Sequence, residues 1–197
     1  VASDLLDDDL VRRVIGAVRS LADAGADLGV VVCGKRSAYI ERTDAAFRAQ
    51  TDEYYASLAT LDDLLDRPED GILKVAVYDF GSAEHGARPA LESFATEAQV
   101  VLSGEHWVDL QNLGTNKGVA LRRVQQALGI TPAQTMVFGD FLNDLEMMDA
   151  ADYSFAMDNA HPLLRARARY VAPPNTENGV VRSISAVLGF PWTALPA

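Results

Sequence analysis

The sequence has 197 residues, with 17 Lys and Arg against 28 Asp and Glu, a formal charge of −11, and 49% apolar residues. That is enough to build a sizeable core, and the acidic balance excludes a nucleic-acid backbone binder, which needs clustered cations. One cysteine, Cys33, excludes a disulfide scaffold; no apolar run reaches the roughly 18 residues of a membrane span and no basic-then-apolar leader is visible, so a cytoplasmic protein without nucleic-acid or membrane partners is expected.

The acids are unevenly placed: 10 basic and 21 acidic side chains fall in residues 1–112, and 7 of each in 113–197. Two regions joined near Asn112-Leu113-Gly114 are therefore expected. In the first, Asp7-Asp8-Asp9 precedes Leu10, Val11, Val14, Ile15, Val18 and Leu21, an apolar stripe at helical spacing, and acids there suit the positive end of the helix dipole. Gly25 ends that helix. Leu28 to Cys33 and Ser37 to Glu41 form a hairpin about Gly34-Lys35. A helix is expected from about Thr43 to Tyr55, and another from Thr60, where Thr60-Leu61-Asp62-Asp63 has the form of a capping box with Asp in place of Glu. Ile72 to Tyr78 reads as a strand and Pro89 to Ala98 as a helix. Gln99 to Leu102 and Trp107 to Gln111 are two strands about Ser103-Gly104-Glu105. The region is thus an α+β sheet with helices on one face.

After residue 113 strands and helices alternate. Gly118 to Leu128 is a helix stopped by Gly129, Thr135 to Phe138 a fully buried strand, and Asn143 to Ala150 a helix. Tyr153 to Met157, Pro162 to Ala168, Tyr170 to Ala172 and Gly179 to Leu188 continue as strand, helix, strand, helix. Such alternation implies an α/β fold with a parallel, Rossmann-like sheet.

Chemistry concentrates at Gly139-Asp140-Phe141-Leu142-Asn143-Asp144. The strand before it delivers Asp140 to the carboxyl edge of the sheet, where open α/β folds bind ligands. Two carboxylates so close repel unless a cation lies between them, and Mg²⁺ takes oxygen ligands of this kind. Asn143 and Asp144 also suit a helix start, as cap and dipole partner; Asp140 has no such explanation. Lys117 stands at the first turn of a helix, where a cation opposes the dipole unless an anion such as phosphate compensates. Asn175, in a loop between strand and helix, suits either substrate binding or organisation of its own loop.

Asn116-Lys117-Gly118, the segment from Gly139 to Met148, Phe155-Ala156-Met157-Asp158-Asn159-Ala160 and Asn175-Thr176-Glu177-Asn178-Gly179-Val180, in this order, resemble the C-terminal half of Cof-type phosphatases of the haloacid dehalogenase superfamily. Residues 1–112 are similar, more loosely, to the large α+β cap of that group, and 113–197 to the C-terminal part of its core. The resemblance implies that Lys117 holds the phosphoryl group and the nucleophile, that Asp140 and Asp144 serve Mg²⁺, and that Asn143 contacts the substrate phosphate. It implies a phosphomonoesterase acting on small phosphorylated metabolites such as sugar phosphates. A non-catalytic binding or scaffold protein and a phosphotransferase are the alternatives. Tyr39, Tyr55, His85 and Trp107 are candidates for substrate contact from the cap, and Cys33 reads as inert packing.

The resemblance also implies a nucleophilic aspartate in an Asp-x-Asp-x-Thr segment behind a buried strand, which forms an aspartyl phosphate. Asp7-Asp8-Asp9-Leu10-Val11 matches its spacing but has no strand before it and reads as a helix cap. A preceding segment of the same protein is therefore expected. Residues 113–197 alone should leave strand edges and apolar faces uncovered, and the 197 residues alone should be inactive.

Overall fold

In the computed structural model, which describes residues 3–191, Asp7 does cap the first helix. Its carboxylate accepts from the backbone amides of Asp9 and Leu10, and α1 (Asp8–Asp23) buries Leu10, Val11, Val14, Ile15 and Val18. The chain divides into two compact units, residues 1–115 and 116–197.

The first unit is built on a six-stranded sheet. Its strands are β1 (Leu28–Gly34), β2 (Ala38–Ile40), β3 (Leu58–Thr60), β4 (Ile72–Asp79), β5 (Ala98–Leu102) and β6 (Trp107–Asn112), in the order β3-β2-β1-β4-β6-β5. The hairpin of β1 and β2 and that of β5 and β6 form as the sequence predicts. Four expectations fail. Thr60 ends a strand instead of starting a helix, because Leu58–Thr60 pairs in parallel with β2, a non-local contact that local propensity does not register. The cap falls three residues later, where Asp63 accepts from the Leu65 amide in a single 3-10 turn. The helix expected from about Thr43 to Tyr55 is shorter, α2 (Ala45–Thr51), capped by Asp44. Finally, helices do not share one face. Side chains alternate across a sheet; Phe47 of α2 joins Val31, Cys33, Ala38, Ile40, Ala76 and Tyr78 in one buried cluster, whereas Val30, Val32, Val75, Val77, Val108 and Leu110 point the other way. The helix expected over Pro89 to Ala98 is α3 (Ala87–Leu91) followed by a 3-10 turn, with Ala98 already in β5.

Arg19 of α1 reaches across to Glu41 at 2.5 Å and Asp63 at 2.6 Å, and Glu41 also accepts from the Leu64 amide. Partial burial works against the ionised Glu41, but Arg19 and the Leu64 amide outweigh it, so the carboxyl titrates below its usual 4.5. A depressed carboxyl stabilises the fold fully above its ordinary range and progressively less as pH falls through the folded value. Urea midpoints should therefore fall as the pH is lowered from about 6 to about 3, and fall less steeply in Glu41→Gln. Equal slopes in the two proteins would remove Glu41 from the account. Cys33 is buried on β1, and burial pushes its thiol up to about 11 against the pull of the Lys74 charge. Thiolate is the reactive form, so iodoacetamide at mildly alkaline pH should leave native protein unlabelled and label it in denaturant. Equal labelling rates would contradict the packing assigned to β1.

The second unit holds three parallel strands, β7 (Met136–Gly139), β8 (Tyr153–Met157) and β9 (Tyr170–Ala172), in sequential order. Helix α4 (Lys117–Leu128) precedes them and stops at Gly129. Its buried Gln125 amide donates to Thr135 Oγ1 and to the Ala150 carbonyl, tying the helix to both ends of the β7–α5 segment. The connections carry α5 (Leu145–Met148), α6 (Pro162–Arg167) and the last helix, α7 (Gly179–Leu188). The core is Val137, Met148, Phe155, Ala156, Met157, Leu164 and Ala172 with their neighbours. β7 is half buried, with Val137 and Gly139 enclosed and Met136 and Phe138 only partly so, not the fully buried strand expected. The cause is position: among the described residues β7 pairs only with β8. Large apolar side chains also stand open on the helices, among them Val124 and Leu128 of α4 and Val180, Val181, Val187 and Leu188 of α7. Leu128 is 67% and Leu188 65% exposed.

Candidate active site

Parallel strands place the loops after their carboxyl ends side by side. Asp140 follows β7, Asp158 and Asn159 follow β8, and Pro173 to Asn178 follow β9. Hydrogen bonds stitch these loops together. The His161 amide donates to the Asp140 carbonyl at 2.8 Å, and the Asn175 amide to Asn159 Oδ1 at 3.3 Å. His161 caps α6 as well, accepting from the Leu163 amide, and packs edge-on against Phe141. Neither His161 nor Asn159 is assigned a role by sequence reasoning. His161 immediately before Pro162 was the available signal, since proline favours the first helical position and the residue before it the cap.

At the β7 end the backbone leaves the strand at Gly139 and turns through a 3-10 segment, Leu142–Asp144, into α5. Asp144 is 4% exposed and both of its oxygens are engaged. Oδ2 accepts from the Asp140 amide at 3.1 Å, and Oδ1 meets Lys117 Nζ at 2.5 Å. The chain can close this tightly because residue 139 has no side chain: a Cβ there would lie 2.7 Å from Asp144 Cβ and 2.8 Å from its Oδ2. The Lys117 side chain is 51% exposed, so its ammonium faces solvent while anchored to a buried carboxylate. Its backbone lies at the first turn of α4, where Asn116 caps by accepting from Val119. The anion that compensates this lysine within the chain is thus Asp144; an ammonium has three donors, which leaves capacity for a second, incoming anion.

Asp140 is exposed, and its carboxylate enters no ion pair among the described residues. Asn143 is half buried inside the 3-10 turn, and no side-chain cap bond forms at the start of that turn or of α5. The capping explanation for Asn143 therefore fails: α5 begins one residue after Asp144, and the turn preceding it leaves no cap position for Asn143. Asn175 is exposed and uses its Oδ1 to accept from the Thr176 amide, which organises its own turn. Lys117, Asp140, Asn143 and Asp144 are brought to the β7 end of the sheet. Asn175 lies two strands away, linked to it through Asn159.

Among the described residues no group of three or more His, Cys, Asp or Glu is assembled. The loop and turn after β7 offer two carboxylates, Asp140 exposed and Asp144 buried. That donor set suits Mg²⁺, which commonly takes one or two carboxylates and completes its shell with water and phosphate oxygens, and it lacks the Cys sulfur and His nitrogen that dominate zinc sites. The two oxygens of Asp144 together offer about four acceptor positions, of which Lys117 and the Asp140 amide take two.

Known proteins resemble this chain over most of its length. A family model described as haloacid dehalogenase-like hydrolase matches residues 1–184. A 5-amino-6-(5-phospho-D-ribitylamino)uracil phosphatase of Escherichia coli strain K12 is 31% identical over 187 residues, covering 94% of this chain and 69% of that protein. A crystal structure from Streptococcus mutans UA159 superposes with a TM-score of 0.80 at 22% identity, over 96% of this chain and 71% of its own. A sugar phosphatase of haloacid dehalogenase subclass IIB superposes with a TM-score of 0.73 at 17% identity, over 94% of this chain and 68% of its own.

Proposed function

The chain belongs to the haloacid dehalogenase-like hydrolase family, and from that premise we propose that it works as a Mg²⁺-dependent phosphomonoesterase on small phosphorylated metabolites of the sugar or polyol phosphate kind. The observation that carries the reading is the Lys117–Asp144 pair beside the exposed carboxylate of Asp140 at a parallel sheet edge. It offers one solvent-facing cation and one open carboxylate on two residues that are both bonded to Asp144. The E. coli relative removes phosphate from a ribityl-bearing molecule by name, which supports a polyol phosphate as substrate.

In this reading Asp140 is the direct oxygen ligand of Mg²⁺, and Asp144 holds Lys117 and the Asp140 backbone in place while serving the same ion. The bound ion would offset the negative charge that builds on phosphoryl oxygens during transfer. Lys117 grips the phosphoryl group as a point charge, and Asn143 donates its amide N–H to a phosphate oxygen. The nucleophilic aspartate is supplied by a segment of the same protein outside these 197 residues. The open apolar side chains of α4 and α7 and the half-buried β7 support that part, since they are surfaces such a segment would cover.

The test is phosphate release by the full-length protein from p-nitrophenyl phosphate and from a panel of sugar and polyol phosphates, with Mg²⁺ and with EDTA. Turnover that needs Mg²⁺, and that the 197 residues alone do not support, is expected. Binding of phosphorylated metabolites without any turnover in the full-length protein would make it a binding protein instead, and transfer of phosphate to a sugar hydroxyl would make it a phosphotransferase.

A further inference from the structure

Asp140 follows a strand that, among the described residues, pairs on one side only, yet its backbone is held at both peptide groups. Its amide donates to Asp144 Oδ2 at 3.1 Å, and its carbonyl accepts from the His161 amide at 2.8 Å. A third contact falls on the next residue, where the rings of Phe141 and His161 meet edge-on with centroids 5.7 Å apart. Two of these three contacts come from His161. They reach Asp140 from the loop after β8, the neighbouring strand.

That loop is itself fixed. The Ala160 amide closes a turn on the Met157 carbonyl at 2.8 Å, and Ala160 is buried. Arg165 of α6 reaches back to the carbonyl and the carboxylate of Asp158. His161 Nδ1 accepts from the Leu163 amide at 3.2 Å and caps α6. Asn, Asp, Ser or Thr would serve that cap as well, but each would leave Phe141 without the ring it packs against. The cap thus explains one ring nitrogen, and the contact with Phe141 explains why the half-buried side chain is a ring at all.

We propose that His161 is the positioning residue for Asp140: it touches neither ion nor substrate, and its amide and ring together fix the Asp140 backbone so that the carboxylate stands in place for Mg²⁺. The inference rests on the reading of Asp140 as a Mg²⁺ ligand and adds to it the residue that aims the ligand. Residues that orient a metal ligand without touching the metal commonly matter by about 10–100-fold in metal affinity or activity. A ligand fixed beforehand also loses less free energy to ordering when its partner arrives.

The test is Mg²⁺ binding to the full-length protein by titration calorimetry without substrate, beside the Mg²⁺ dependence of p-nitrophenyl phosphate release. His161→Ala removes cap and ring together and should raise the Mg²⁺ dissociation constant by about 10-fold or more. Saturating Mg²⁺ should restore most of kcat and leave KM for the ester unmoved, because no group that touches the reacting atoms has been removed. His161→Asn keeps an acceptor for the Leu163 amide but lacks the ring, and its Mg²⁺ affinity should fall between those of the parent and His161→Ala. Leu164→Val is the control for general loosening of α6, since Leu164 is fully buried on that helix. It should lower the urea midpoint and leave Mg²⁺ affinity near the parent's. Parent affinity in His161→Ala, parent affinity in His161→Asn, or an equal loss in Leu164→Val would each overturn the proposal while Mg²⁺-dependent turnover of the parent stood. Asp140→Asn separates the two readings. If it keeps the parent's Mg²⁺ affinity, or if the parent binds no Mg²⁺, Asp140 is not a ligand, and the metal assignment and this proposal fall together.

Discussion

Lys117→Met in the full-length protein is expected to lower kcat for phosphate release by roughly 10²–10³-fold, the usual cost of removing one preorganised donor from a developing anion. The argument starts from the dipole. A lysine at the first turn of α4 opposes the positive helix end, and the chain answers with Asp144, buried behind β7 and 2.5 Å away. The ammonium is therefore held in place before any substrate arrives, and half of its side chain still faces solvent. Methionine keeps the stem and removes the charge. It leaves Asp144 a buried carboxylate with the Asp140 amide as its remaining bond, so some loss of stability accompanies the loss of rate. The companion Asp144→Asn separates the two effects, because an amide oxygen still accepts from Asp140 while the anchor for Lys117 is weakened. If both residues act as one unit, the double variant will be little slower than Lys117→Met alone. A Lys117→Met protein within a few-fold of parent turnover would remove the lysine from the site.

The elements that sequence periodicity reaches are those whose signal is local. α1 shows its stripe in sixteen consecutive residues and its cap in the residue before them, and β8, β9 and α7 begin and end where the pattern places them. β3 is invisible because three residues carry no period, and its partner β2 lies twenty residues earlier. Asp140 stands out because nothing local explains a carboxylate at the end of a strand, and Lys117 because it contradicts the dipole. Their meeting through Asp144 is legible only as a shared sheet edge; that the compensating anion is a carboxylate of the same chain is not. Asn143 shows the opposite error, since its residue type suggests a cap that the 3-10 turn does not use. That His161 grips Asp140 is not legible either, since the contact depends on β7 and β8 lying side by side.

Gly118→Ala is expected to weaken the protein and slow it together, although by helix propensity alone it should help. Alanine is favoured over glycine inside a helix by about 1 kcal/mol, and Gly118 lies in the first turn of α4. Against this, a Cβ at 118 would lie 2.4 Å from the Glu146 carbonyl oxygen and 2.6 Å from its carbon. Both are backbone atoms at the start of α5, so no side chain can rotate away, and α4 must lift from α5. Overpacking of this kind costs about 1–3 kcal/mol, enough to reverse the propensity gain. The displaced end of α4 carries Lys117, whose partner Asp144 is the residue before α5; the shift separates the two groups that have to stay together. A misplacement near 1 Å can cost about 10²-fold in rate, so turnover should fall further than the lowered urea midpoint alone would predict. The contrast is Gly129→Ala, which has no neighbour within 4 Å but a φ of +67°, and which should lower stability by about 1 kcal/mol while leaving turnover of the folded protein intact. If Gly118→Ala instead matches the parent in both urea midpoint and kcat, the close seat of α4 on α5 is not what holds Lys117 against Asp144.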